Sequence, residues 1–179
     1  METHKKHKSD AKKIRKVNLG LVVVSTSRYK EMKNQEDLSD KTIPLVKEIL
    51  KEEPDIFLSF STIVPDDPEK LKESLTQIEK KNLDVILFSG GTGLTPKDIT
   101  YETIEPLLEK EITGFGELFR YLSYEEIGSA AMISRATAGS YHGKAIFLMP
   151  GSPNAVKLAL NKLIIPEIFH IIHMITKEE

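Results

Sequence analysis

The chain has 179 residues, a net charge of −2, 40% hydrophobic and 29% charged residues, and no cysteine. That length suits one domain burying about 70% of its unfolded surface, and the charge balance gives no general bias toward nucleic acid. Disulfides, thiolate ligands and a cysteine nucleophile are excluded; no apolar run of membrane-spanning length and no signal-peptide core are read, so a cytoplasmic chain without membrane or nucleic-acid partners is expected.

Residues 1–16 form a basic arm, with seven Lys or Arg against Glu2 and Asp10. A solvated, flexible tail is the first reading and an arm packed on a neighbouring subunit the second. Residues 17–179 read as a single α/β domain. A buried strand is expected over 17–25, then a helix from Ser39 or Asp40 to 53 with Ile43, Val46, Ile49 and Leu50 on one face. A second strand covers 55–64, and a helix over 68–81 turns Leu71, Leu75 and Ile78 inward. After a strand at 84–88, helical structure is expected over 101–112, with Pro106 breaking it into two pieces. An amphipathic helix over 114–128 carries Phe115, Leu118, Phe119 and Leu122 on one stripe. Strands over 136–141 and 144–149 form a hairpin on an antiparallel edge, and helices over 151–163 and 164–176 close the chain. The alternation predicts a three-layer αβα sandwich with a mostly parallel sheet.

The densest chemistry lies in residues 84–100. A short apolar strand runs into Ser89-Gly90-Gly91-Thr92-Gly93, whose glycines let backbone N–H groups approach a ligand. Thr95 and Pro96 follow as a helix N-cap and first helical residue, and bare N–H groups feeding a helix make an anion site. A P-loop needs Lys after the last glycine, where this chain has Leu94, and the dinucleotide spacing is absent. Asp98 is read either as a helix-dipole carboxylate or as a Mg²⁺ ligand beside bound phosphate. A glycine turn without a ligand stays open as a third reading.

Five blocks in order resemble the molybdopterin-binding MogA/MoaB family, most closely its MoaB branch. They are Val64-Pro65-Asp66-Asp67, the glycine loop with Pro96-Lys97-Asp98-Ile99-Thr100, Gly114-Phe115-Gly116-Glu117, Ile133-Ser134-Arg135 and Pro150-Gly151-Ser152-Pro153. Two departures occur. Ser25-Thr26-Ser27-Arg28 stands where many members carry an aspartate, and Asp40 replaces a common glycine, with a capping role expected for it.

The resemblance implies Mg²⁺-dependent adenylyl transfer from ATP to molybdopterin in molybdenum or tungsten cofactor assembly. The alternative is a non-catalytic molybdopterin-binding oligomer in the same pathway. Asp66 and Asp98 are carried over as catalytic and Mg²⁺-holding acids, with Asp67 as the fallback. Gly90, Gly91, Thr92 and Gly93 take the phosphate-binding role. Lys97, Ser25, Ser27, Arg28, Glu117, Ser134, Gly151 and Ser152 are further contacts. A homo-oligomer, trimer or hexamer, and hand-off to a molybdenum insertase are implied as well. The apolar run from Leu163 to Ile175 also points to self-association. In a doubly wound sheet, the segments at Ser25, Pro65, Ser89 and Met149 should line one edge. His170 and His173 read as a packed pair and His142 as a solvated turn. Ser134 and Ser152 lack the partners of a nucleophile.

Overall fold

The computed structural model describes residues 16–177. All of the expected basic arm except Lys16 lies outside them. The aliphatic run of β1 (Val17–Val24) forms a strand buried on both faces. It is followed by α1 (Thr26–Asn34), α2 (Thr42–Leu50), β2 (Ile56–Val64), α3 (Pro68–Glu79) and β3 (Val85–Ser89). Then come α4 (Thr100–Ile104), a 3-10 turn at Glu105–Leu107, β4 (Lys110–Glu111) and α5 (Thr113–Ile127). A second 3-10 segment at Gly128–Ile133 leads to β5 (Thr137–Tyr141) and β6 (Lys144–Met149). The last rod joins α6 (Pro153–Ala159) to α7 (Ile165–Thr176) through a π-helical turn at Leu160–Ile164.

The six strands form one sheet in the order β2-β1-β3-β6-β5-β4. β2, β1, β3 and β6 are parallel, whereas β5 and β4 run antiparallel. Alternation along the strands splits the core in two. Leu19, Leu21, Leu87 and Phe147 face Val46, Phe119, Val156, Ile164 and Ile168 of α2, α5 and the C-terminal rod. Val22, Ile86, Phe88 and Leu148 face Leu71, Leu75, Ile78 and Ile104 of α3 and α4. This is the expected three-layer sandwich, with each sheet face covered as parallel strands require.

Several elements differ from the sequence reading. No helix starts at Thr95-Pro96; residues 95–98 form a turn and α4 begins only at Thr100. The Asp98 carboxylate causes this by accepting from Thr95 N at 3.0 Å and Thr95 Oγ1 at 2.6 Å, closing the turn that a helix would have opened. The two short helical pieces expected around Pro106 are present, α4 and the 3-10 turn that holds Pro106, but the chain then leaves helix early and forms β4, pairing with β5. The hairpin's β5 is therefore internal, and β4 is the edge. Leu118 leaves the expected apolar stripe and is exposed, unlike Phe115 and Phe119. α1 has no counterpart in the expectation because none of its residues is buried, so it lacks an apolar stripe.

The two expected C-terminal helices are one, Pro153–Thr176, of 24 residues and with a window of mean hydropathy 1.4. A helix of this length and composition could cross a membrane, contrary to the sequence reading of no such stretch. Here it covers the sheet through Val156, Leu160, Ile164, Ile168 and Ile172. The π-turn before Pro166 takes up the backbone bond that proline removes.

Candidate functional site

The four parallel strands end at one edge, and strand order reverses between β1 and β3, the place where open α/β sheets bind ligands. The backbone is crowded there. Gly90 has φ +111°, and a Cβ on it would stand 2.3 Å from Val24 O. A Cβ on Gly151 would approach Gly90 Cα at 3.1 Å. Only glycine lets the ends of β1, β3 and β6 close so tightly.

The loop after β3 is defined by which groups are bonded and which are not. Gly90 N donates to Met149 O at 3.0 Å, and Gly91 O accepts from Thr100 N at 2.8 Å. The next N–H groups, of Gly91, Thr92 and Gly93, donate to no acceptor among the described residues. Three consecutive unpaired donors form an anion-binding concavity even though no helix stands behind them. Beneath the loop, the buried hydroxyls of Ser89 and Thr100 also lack a hydrogen-bond partner.

Two carboxylates rest against this loop. Asp66 Oδ2 accepts from Thr26 N at 3.0 Å and Thr26 Oγ1 at 2.7 Å, while Oδ1 lies 3.1 Å from the position a Gly91 Cβ would take. Asp98 is tied to Thr95 through Oδ2, which stands 2.8 Å from the corresponding position of Gly93. In both, Oδ1 accepts no hydrogen bond among the described residues. Asp67 is otherwise employed: it caps α3, accepting from Glu69 N at 2.9 Å and Lys70 N at 3.0 Å. Of the two neighbouring acids, Asp66 is the one that rests against the loop.

Mg²⁺ prefers oxygen ligands and usually shares them with substrate phosphates. Among the described residues no group of three His, Cys, Asp or Glu could hold a metal alone. Each acid keeps one Oδ1 without a hydrogen bond among the described residues, the kind of oxygen an ion completed by substrate oxygens takes. Asp66 and Asp98 are the residues that would hold it.

A cavity of about 450 Å³ opens from the loop. Gly91, Thr92, Gly93, Asp98, Ser134, Gly151 and Ser152 all line it, so seven of the expected contacts converge. Its far wall is apolar, built by Phe119, Ile127, Ala131 and Ile133. Other expected residues fall elsewhere. Ser25 caps α1, with Ser27 Oγ 3.2 Å from Ser25 Oγ. Lys97 is exposed and makes no bond among the described residues. Glu117 lines a neighbouring cleft of about 410 Å³ that shares Ser134. Ser152 Oγ caps α6, accepting from Ala155 N at 3.2 Å. Asp40 caps α2 as expected, through Thr42 N and Ile43 N at 3.2 and 2.9 Å, with Arg28 Nη1 3.6 Å away.

The sequence reading noted Thr26, which holds Asp66, only as part of the segment after the first strand, and it did not foresee the apolar wall. Arg135 it noted only as part of a block. Arg135 Nε donates to Thr92 O at 3.0 Å and Nη2 to Gly93 O at 2.5 Å. Its guanidinium pairs with the Glu102 carboxylate and lies over Tyr101, 5.1 Å from the ring centre. The hydrogen bond from Arg135 holds the Glu102 carboxyl below its ordinary value.

The family described as "Probable molybdopterin binding domain" matches residues 20–170. Molybdenum cofactor biosynthesis protein B of Staphylococcus carnosus is 46% identical over 91% of this chain and 93% of its own length. The protein of the same name from Bacillus cereus is 46% identical over 92% and 93%. A crystal structure of Molybdenum cofactor biosynthesis protein B superposes with TM-score 0.81 at 42% identity, covering 91% of this chain and 98% of that one. The tungsten cofactor synthesizing protein MoaB from Pyrococcus furiosus superposes with TM-score 0.79 at 38% identity, covering 91% and 99%.

Proposed function

The chain belongs to the molybdopterin-binding domain family, and from that premise we propose that it serves molybdenum or tungsten cofactor biosynthesis by transferring an adenylyl group from ATP to molybdopterin. One observation carries the reading. Three consecutive undonated N–H groups lie between two carboxylates that each keep an oxygen free.

Molybdopterin has a flat ring system at one end and a phosphate at the other. The cavity offers an apolar wall and the loop amides in the same order. In the reaction, an oxygen of the pterin phosphate attacks the α-phosphorus of ATP. The new P–O bond forms as the bond to the bridging oxygen breaks, and the electron pair leaves with pyrophosphate. The attacking oxygen is already ionised at neutral pH, so no general base is needed. What the protein must do is bring two anions together. The loop amides bind the pterin phosphate, and the apolar wall excludes water from it. Asp66 and Asp98, fixed by Thr26 and Thr95, orient the nucleotide side. A Mg²⁺ ion held there would screen the phosphate charges. The protein acts as a homo-oligomer in this reading, and its adenylylated product passes to a molybdenum insertase.

The test is pyrophosphate release from the purified protein with ATP and Mg²⁺, with and without molybdopterin. Release that requires the pterin, with adenylyl-molybdopterin as the product, is expected. Tight pterin binding with no release would replace the enzyme by a binding protein. Release without pterin would point to a different hydrolysis.

A further inference from the structure

We propose that Arg135, locked by Glu102, is a positioning residue that sets the orientation of the loop amides; the inference rests on the reading of that loop as a phosphate site. Arg135 lies more than forty residues along the chain from the loop, yet one guanidinium takes both the Thr92 and Gly93 carbonyl oxygens, at 3.0 and 2.5 Å. In a trans peptide the carbonyl and the following N–H point in opposite directions. Fixing Thr92 O therefore directs the Gly93 N–H away from Arg135, and fixing Gly93 O does the same for Leu94 N–H.

An exposed Arg–Glu pair alone would contribute little. Here the pairing is with a guanidinium whose side chain is 23% exposed and whose Nε and Nη2 also donate to the loop. Glu102 takes the outer edge, and Tyr101 supports the flat face at 5.1 Å. The plane of the guanidinium is thus set from three sides. Arg135 lines the neighbouring cleft and not the cavity that opens from the loop. Lysine cannot replace it, because an ammonium does not span two carbonyls and a carboxylate in one plane.

The experiment compares wild type, Arg135→Lys, Arg135→Gln and Glu102→Gln for binding of molybdopterin and of inorganic pyrophosphate, for saturating turnover, and for melting temperature. Both Arg135 variants should weaken pterin binding about tenfold or more, with turnover at saturation within about threefold of wild type. Glu102→Gln should weaken binding less, and adding it to Arg135→Lys should have almost no further effect. Unchanged affinity in folded Arg135→Lys and Arg135→Gln would overturn the inference. So would unchanged affinity with lost turnover, since Arg135 would then act on the reacting atoms. Wild type that binds pterin without releasing pyrophosphate would sink only the adenylyl-transfer reading. Wild type that binds neither probe would sink both.

Discussion

Gly91 sits where the loop, Asp66 and α4 meet, and its backbone leaves almost no choice of residue. Its φ of +64° is left-handed, and a Cβ there would stand 2.3 Å from Thr100 Oγ1. Gly91→Val adds a β-branched side chain to a conformation that already disfavours any Cβ by about 1–2 kcal/mol. The loop should shift, and molybdopterin binding should fall below detection while circular dichroism shows a folded protein. Retained binding would mean the ligand does not touch this loop. Thr100 gives the converse case. Its buried hydroxyl has no partner, so Thr100→Val should leave the unliganded protein as stable or up to about 1 kcal/mol more stable in denaturant unfolding. The glycines of this loop were legible because three of them in four residues have few other uses. Asp98 was legible as a residue but not in its role. Thr95-Pro96 has the pattern of a helix start, and only the bond from Asp98 back to Thr95 decides against it.

Elements with a clear apolar period were readable: β1, β3, α3 and the β5–β6 hairpin lie within a few residues of expectation. α1 escaped because it is polar throughout, and β4 because two residues hold no periodicity. The hairpin supports a prediction at this scale. Tyr141 OH donates to Glu79 of α3, and His142 stacks on the Tyr141 ring at 4.3 Å. Burial, and then the bond to Glu79, push the phenol from 10.0 up to about 12. The unfolded chain therefore ionises first as pH rises, and it binds fewer protons than the folded one between these values. Stability is complete below about pH 10 and declines toward pH 12. Melting curves should show that decline, and Tyr141→Phe should flatten this contribution while lowering stability near neutrality by about 1 kcal/mol. An identical alkaline profile in the variant would mean that Tyr141 does not cause the decline.

At the scale of the whole molecule, the sheet order made the site, and that order was legible only in part. The alternation of strands and helices pointed to a parallel sheet with strand ends on one edge, and β1, β2, β3 and β6 do end together. The tie from Arg135 to Thr92 joins distant segments, and no local pattern announces such a contact. Self-association also needs different grounds from those read in the sequence. Much of the C-terminal run packs on its own core, through Ile164, Ile168 and Ile172. The larger exposed apolar stripe is on α5 and the segment after it, at Leu118, Tyr121, Tyr124 and Met132. Such a stripe suits a partner copy, and light scattering should give a mass several times 20.2 kDa at micromolar concentration. A clean monomer would contradict this.

In the proposed reaction labour is divided: the loop amides bind and the two acids serve transfer. Molybdopterin affinity and adenylylation rate, measured side by side for wild type, Asp66→Ala and Asp98→Ala, separate the two roles. Affinity should be unchanged or slightly higher, because a carboxylate no longer faces the phosphate. The rate should fall more than about a hundredfold, the equivalent of roughly 3 kcal/mol of lost electrostatic stabilisation. Near wild-type rates in both variants would leave Asp66 and Asp98 as no more than the hydrogen-bond partners of Thr26 and Thr95.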